Sequence, residues 1–181
     1  MAVWTVIDHQ VADGGTNLPA YWEKTSIPSS YDHLLLKASV RSDGSGYVAG
    51  GIAIQLNNDN GYEYTHCAME AGAGNSLQFN GAGSDQQYAS AGALAGTSVN
   101  ASIFTFFDCW LPNYSGTTGD TQMLCRTGME NASTNTSQYY VKLAGCLYHK
   151  TNAINRIKVY INAGDNFAEY SSFTLYGITA V

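Results

Sequence analysis

The feature that most restricts what this chain folds into is its period. Apolar side chains alternate with polar ones along segment after segment, and nowhere do they recur at helical spacing. Leu34, Leu36, Ala38 and Val40 face one way, and Leu35, Lys37, Ser39 and Arg41 the other. Ile52, Ile54 and Leu56 oppose Ala53 and Gln55, and Met123, Cys125 and Thr127 oppose Gln122, Leu124 and Arg126. Tyr139, Val141, Leu143 and Leu147 alternate with Tyr140, Lys142, Ala144 and Cys146. A period of two places successive side chains on opposite faces of a strand. Gly, Asn and Pro clusters punctuate these segments every ten to fifteen residues or so, which is the spacing of an all-β fold. The chain is therefore expected to be a single all-β domain over residues 1–181, an antiparallel β-sandwich of jelly-roll type with about eight to nine strands.

Two segments read as hairpins. Residues 47–69 carry two alternating runs around Asn57-Asn58-Asp59-Asn60-Gly61, and Asn-Gly is a strong tight-turn signal. Residues Ile154 to Val181 carry Ile157, Val159 and Ile161, then the turn Asn162-Ala163-Gly164-Asp165-Asn166, then Phe173 and Leu175 alternating with Ser172 and Thr174. Two stretches fit less well. Residues 10–30 contain Pro19, Pro28, Tyr21, Trp22 and Ile27, and read as an N-terminal arm that wraps over its own domain or packs on a neighbour. Residues 70–100 are rich in Gly, Ala, Ser and Asn. They read as a long insertion loop with a short strand near Gln86 to Ala89, either an interaction surface or a plain loop.

The run Ile103 to Leu111 is apolar on both faces. Ile103, Phe107, Cys109 and Leu111 lie on one side, and Phe104, Phe106 and Trp110 on the other. A sandwich strand has one inner face, so the second needs cover from a loop, an arm or another subunit. The last strand repeats the pattern, with Tyr176 and Ile178 opposite Phe173 and Leu175. Trp22, Phe104, Phe106, Trp110, Tyr176 and Ile178 are therefore the candidate subunit-interface residues.

Charge and motif narrow the function. The net charge is −6 with 8 Lys plus Arg, which argues against a nucleic-acid footprint and against an anionic membrane surface. No apolar run reaches the ~18 residues of a membrane span, and the N-terminal residues have no secretory pattern, so synthesis in a cytoplasm is expected. Cys67, Cys109, Cys125 and Cys146 form no Cys-x-x-Cys pair and read as reduced, buried side chains rather than disulfides. Asp8-His9 and Asp32-His33 put carboxylate beside imidazole in sequence, but strand neighbours point apart. His66-Cys67 as metal ligands and Asn57 to Asn60 as a calcium turn are weaker readings than plain strand and turn. Sugar stacking by Trp22, Trp110 or exposed tyrosines ranks below packing. No catalytic, cofactor-binding or metal residue is assigned, and the chain is expected not to be an enzyme.

The ending Ile154-Asn155-Arg156-Ile157-Lys158-Val159, Gly164-Asp165-Asn166-Phe167 and Ser171-Ser172-Phe173-Thr174-Leu175-Tyr176-Gly177-Ile178 resembles a recurring ending in structural proteins of tailed bacteriophages. Trp4-Thr5-Val6-Ile7 and Tyr31-Asp32-His33-Leu34 are similar to the family's opening. One departure is Ala168-Glu169-Tyr170-Ser171, where the family has a second Gly-Ser before the last strand. The resemblance implies a jelly-roll virion protein, commonly a homotrimer, whose partner is the major capsid protein. With one domain and no shaft, a capsid cement or decoration protein is expected over a fibre tip. The alternative is a tail-fibre or receptor-binding domain that touches host glycans through loops 57–61, 80–100 or 129–137.

Overall fold

A computed structural model describes residues 1–13, 20–72, 77–130 and 139–180, with the backbone alone at 82–85. These residues form twelve strands: β1 (Val3–Val11), β2 (Tyr21–Lys24), β3 (His33–Val40), β4 (Val48–Leu56), β5 (Tyr64–Ala71), β6 (Leu77–Gln86), β7 (Ala89–Ala95), β8 (Thr105–Pro112), β9 (Thr121–Met129), β10 (Tyr140–Tyr148), β11 (Ile157–Ile161) and β12 (Ser172–Thr179). One sheet has the order β1-β12-β3-β8-β9-β10-β5-β6 and the other β2-β11-β4-β7, with every pairing antiparallel.

The all-β antiparallel sandwich expected from the period is what forms. Its pairings are nested: β1 with β12, β2 with β11, β3 with β8 and β4 with β7. A long ribbon paired end to end in this way and rolled into two sheets is a jelly roll. It uses eight strands. The other four, β5-β6 and β9-β10, are insertions that extend the larger sheet beyond β8. The total therefore exceeds the eight or nine expected.

Neither expected hairpin forms. β4 lies in the small sheet and β5 in the large one, and β11 and β12 are divided the same way. The turns at Asn57–Gly61 and Asn162–Asn166 are corners that carry the chain from one sheet to the other. Asn57 and Asn58 both take positive φ, 53° and 57°, a conformation Asn tolerates. The Tyr64 hydroxyl then accepts the Leu56 N–H at 2.8 Å, tying the two sides of that corner together.

Described parts of the arm and of the insertion loop are also sheet. β1 runs to Val11, and β2 pairs with β11. In place of a loop, residues 77–86 and 89–95 are β6 and β7. The sparse apolar content of this stretch has a cause. β7 lies where the sheets approach closely: the Thr127 hydroxyl of β9 donates to the Ala91 carbonyl at 2.7 Å, and a Cβ on Gly92 would run into Thr127. The close approach at Ala91 and Gly92 leaves no room for a larger side chain at Gly92.

The core lies between the sheets. Trp22 is buried and stacks on Phe173 at 5.6 Å, and Phe167 meets Phe173 edge-on at 4.9 Å. Tyr64 and Tyr148 stack at 5.0 Å beneath the inserted strands. Trp22, a candidate interface residue, is thus a core residue that links β2 to β12. Trp22→Ala is expected to cost about 3–5 kcal/mol of stability, whereas Tyr21→Ala on the opposite face should cost less than about 1 kcal/mol. Urea unfolding of the two variants checks this.

Candidate docking surface

The cross-strand register places the outward side chains of the large sheet in rows. One row is Val6, Tyr176, Leu35, Trp110, Leu124, Gly145, Cys67 and Gly81. The next is His9, Thr174, Lys37, Asp108, Arg126, Leu143, Met69 and Phe79. The third is Val11, Ser172, Ser39, Phe106, Gly128, Val141, Ala71 and Leu77.

The second and third rows change character at β8/β9. On the jelly-roll side they carry Lys37, Asp108, Ser39, Ser172 and Thr174 between Val11 and Phe106, while the first row is apolar there, with Val6, Tyr176, Leu35 and Trp110. On the inserted side the three rows carry Leu124, Leu143, Val141, Met69, Leu77 and Phe79. Phe79 is 74% exposed, Leu77 56%, Val141 55% and Phe106 52%. Exposure this high, contiguous over four strands, goes beyond the scattered apolar residues of an ordinary surface. The Arg126 guanidinium at the seam grips Asp108 with two hydrogen bonds, 2.9 and 2.6 Å. A shallow depression of about 420 Å³ opens over Gly145, walled by Trp110, Pro112, Leu124 and Leu147.

Phe106, Trp110, Tyr176 and Ile178 share this outer face. The Phe106 ring lies across Gly128, where a Cβ would collide with it. Trp110 is half-buried with its ring 4.8 Å from that of His33. Tyr176 is half-covered by Trp4, edge-on at 5.8 Å, and Ile178 is buried. Phe104 stands apart, half-buried in the segment before β8. The described residues of the chain itself cover the second face of residues 103–111 only in part, leaving Phe106 exposed.

Sequence reasoning missed Leu143 and the three most exposed members, Phe79, Leu77 and Val141. The alternation in β10 was visible, but convention puts its aliphatic side inward. The structure puts Lys142, Ala144, Cys146 and Tyr148 inward instead. Lys142 is neutralised there by Glu70 at 3.7 Å and reaches the Ser90 hydroxyl at 3.3 Å. Glu70 also accepts from the Tyr140 hydroxyl at 2.6 Å and from the Asn80 amide. A polar interior with satisfied partners lets the aliphatic side face out.

The other chemical candidates are engaged in holding structure. His66 points inward and Cys67 outward, so they share no site. Asp59 accepts from Gly61 N–H at 2.8 Å and from the Tyr148 hydroxyl at 2.9 Å, as a turn would use it. Asp8 pairs with Lys24 at 3.8 Å, and His9 meets the Thr174 hydroxyl at 2.8 Å. His149 bridges Asp120 at 2.8 Å and Thr65 at 2.7 Å, fastening the loop before β9 to β5. Among the described residues no group of three or more His, Cys, Asp or Glu is placed to hold a metal ion. No described helix is long and apolar enough to cross a membrane. Residues 131–137 of the expected glycan-contacting loop 129–137 lie outside the described residues.

The outer face of the small sheet is aromatic and polar. Tyr21 and Tyr160 are directly paired across β2–β11, with the Lys158 ammonium 4.4 Å from the first ring and 5.4 Å from the second. Tyr88 adds an edge-on contact to Tyr160 at 6.0 Å, and its hydroxyl accepts from Asn162 at 3.1 Å.

Trp4–Ile7 in β1, Ser172–Ile178 in β12 and the entry to β3 at Tyr31–Leu34 are adjacent, whereas Ile157–Val159 lies in the small sheet. The Tyr31 ring lies on Gly177, where a Cβ would strike it, and the Asp32 N–H donates to the Ile178 carbonyl at 2.9 Å.

No protein-family model matches the chain, and no curated protein does. Among solved structures, a peanut lectin in complex with a nine-residue peptide aligns over 100% of both chains at 7% identity, with a TM-score of 0.31. A family 16 glycoside hydrolase from a Bacteroides ovatus mixed-linkage glucan locus, solved with an oligosaccharide product, aligns over 97% of this chain and 94% of its own. Its identity is 10% and its TM-score 0.16. At these scores neither bears on function.

Burial, reinforced by the nearby Lys142 ammonium, holds the His66 pKa below its ordinary 6.5, and its Nδ1 is buried without a partner. The unfolded chain therefore binds a proton near pH 6.5 that the native one refuses. Stability should fall as pH drops from 6.5 toward the lowered native value, with a slope of at most about 1.4 kcal/mol per pH unit and less for a half-buried group. Denaturant titrations between pH 7 and 5 should show a shallower fall for His66→Gln.

Proposed function

We propose that this chain is a non-enzymatic structural subunit of a tailed-bacteriophage particle. It is a capsid cement or decoration protein that assembles as a homo-oligomer, a trimer by resemblance, and binds the major capsid protein on the outside of the head. The observation that carries the subunit reading is the uncovered aliphatic outer face of β9, β10, β5 and β6. A face of this kind is most stable against a partner of the same character, as in oligomer interfaces. We assign it to copies of the same chain. Along its middle row Lys37, Asp108 and Arg126 stand side by side on β3, β8 and β9 and alternate in sign, so copies of an acidic chain do not meet there through acidic groups alone. The particle assignment is supported by the likeness of the chain's ends to phage structural proteins.

Leu143→Asp and Phe106→Asp should leave the monomer folded, since both side chains are exposed, and should shift the assembly to monomer. Light scattering coupled to size exclusion reads this directly. A wild-type monomer at micromolar concentration that fails to cosediment with capsids would sink the reading.

A second reading, a tail-fibre or receptor-binding domain that contacts glycans, is favoured by the Tyr21–Lys158–Tyr160 cluster. Stacking faces beside hydrogen-bonding groups suit sugar rings. On this reading Tyr160→Ala and Tyr21→Ala lower a glycan-array signal about tenfold or more. No wild-type signal on glycans or host cells removes it.

A further inference from the structure

Cys109, Cys125 and Cys146 sit on the adjacent strands β8, β9 and β10, all buried between the sheets, and the subunit role uses none of them. Cys109 and Cys125 are direct partners in the β8–β9 register, with their sulfurs 3.2 Å apart. Opposite residues of an antiparallel pair have Cα atoms about 4.5–5.5 Å apart, inside the roughly 4.4–6.8 Å that a disulfide spans. The Cys146 thiol also hydrogen-bonds that of Cys125, but its backbone is opposite Met123, two residues from the partner of Cys125. That diagonal is about 7–8 Å, beyond what a disulfide bridges without backbone movement. The direct register and the short sulfur separation put Cys109 and Cys125 within disulfide reach without a change of strand pairing.

We propose that Cys109 and Cys125 are a dithiol–disulfide site that a small disulfide oxidant, such as oxidised glutathione, converts to a cross-strand bond. The thiolate of one cysteine attacks a sulfur of the oxidant and displaces one glutathione thiolate. The second cysteine attacks the mixed disulfide and displaces the other. The protein gives up two protons and two electrons, and both leave as two molecules of reduced glutathione. Both sulfurs are shielded by the two sheets, so exchange runs before the sheets close, during folding. Cys146 stays as a thiol beside the bond, and Cys67 stays as a thiol on the outer face.

The position gives the bond its effect. β8 is the last jelly-roll strand of the large sheet and β9 the first inserted one. The disulfide would join the two halves of the sheet covalently at the seam where the aliphatic face begins.

The test refolds the full chain from denaturant in oxidised and in reduced glutathione, alkylates the remaining thiols and maps peptides by mass. After oxidative refolding, two of the four cysteines should escape alkylation, with Cys109 linked to Cys125. The thermal midpoint should rise by about 5–10 °C over the reduced form. Cys146→Ser and Cys67→Ser should keep both effects, and Cys109→Ser should lose both. Four alkylated thiols in the wild type, a link through Cys146 or Cys67, or an equal rise in Cys109→Ser overturns the proposal. The wild-type peptide map decides it even if a serine variant fails to fold.

Discussion

The stack of Trp22 on Phe173 is the contact on which the rest of the structure depends. It joins β2 of the small sheet to β12 of the large one, and so joins the second strand of the chain to the last. β2 is four residues long, too short to hold its place by backbone pairing alone, and one indole supplies much of its buried area. Phe167 closes the same cluster from the corner between β11 and β12. With these three rings in place, both ends of the ribbon are fixed, and the nested pairs between them have a single way to close.

The strands were legible because a period of two is a local property. Their partners were not. Asn57–Gly61 and Asn162–Asn166 have the composition of hairpin turns, yet each carries the chain across the core. What decides between a hairpin and a corner is whether the next strand finds its pair beside the last one or in the facing sheet. Both strands that follow these corners are claimed by distant partners: β5 by β10, and β12 by β1 and β3. The sparse stretch at 70–100 misled for a related reason. Small residues there reflect close approach of the sheets at Gly92 and Thr127 rather than absence of structure.

The docking face was half legible. Phe106 and Trp110 stood out because their strand is apolar on both sides. Leu143 and Val141 did not, because alternation fixes which residues share a face and leaves open which face is inward. The deciding group is Lys142. Its ion pair with Glu70 and its contact with Ser90 make a polar interior tolerable, and the aliphatic side is turned outward as a result. Lys37 and Asp108 lie on the jelly-roll half of the large sheet's outer face and Arg126 at the seam, while the strands beyond it are aliphatic outward, so the two halves of one continuous sheet have different surface chemistry.

Nested pairing also sets an order in time. As the chain leaves the ribosome, the first jelly-roll pair available is β4 with β7, and the inserted β5–β6 can close in the same interval. β8, β9 and β10 then add to the growing sheet from successive stretches of chain. β2 waits for β11, and β1 waits for β12, the last strand made. The inserted half of the large sheet, with its aliphatic face, is thus complete before the jelly roll that carries it can close. Nascent copies growing side by side would meet through that face first, which makes assembly and folding concurrent for this topology rather than successive.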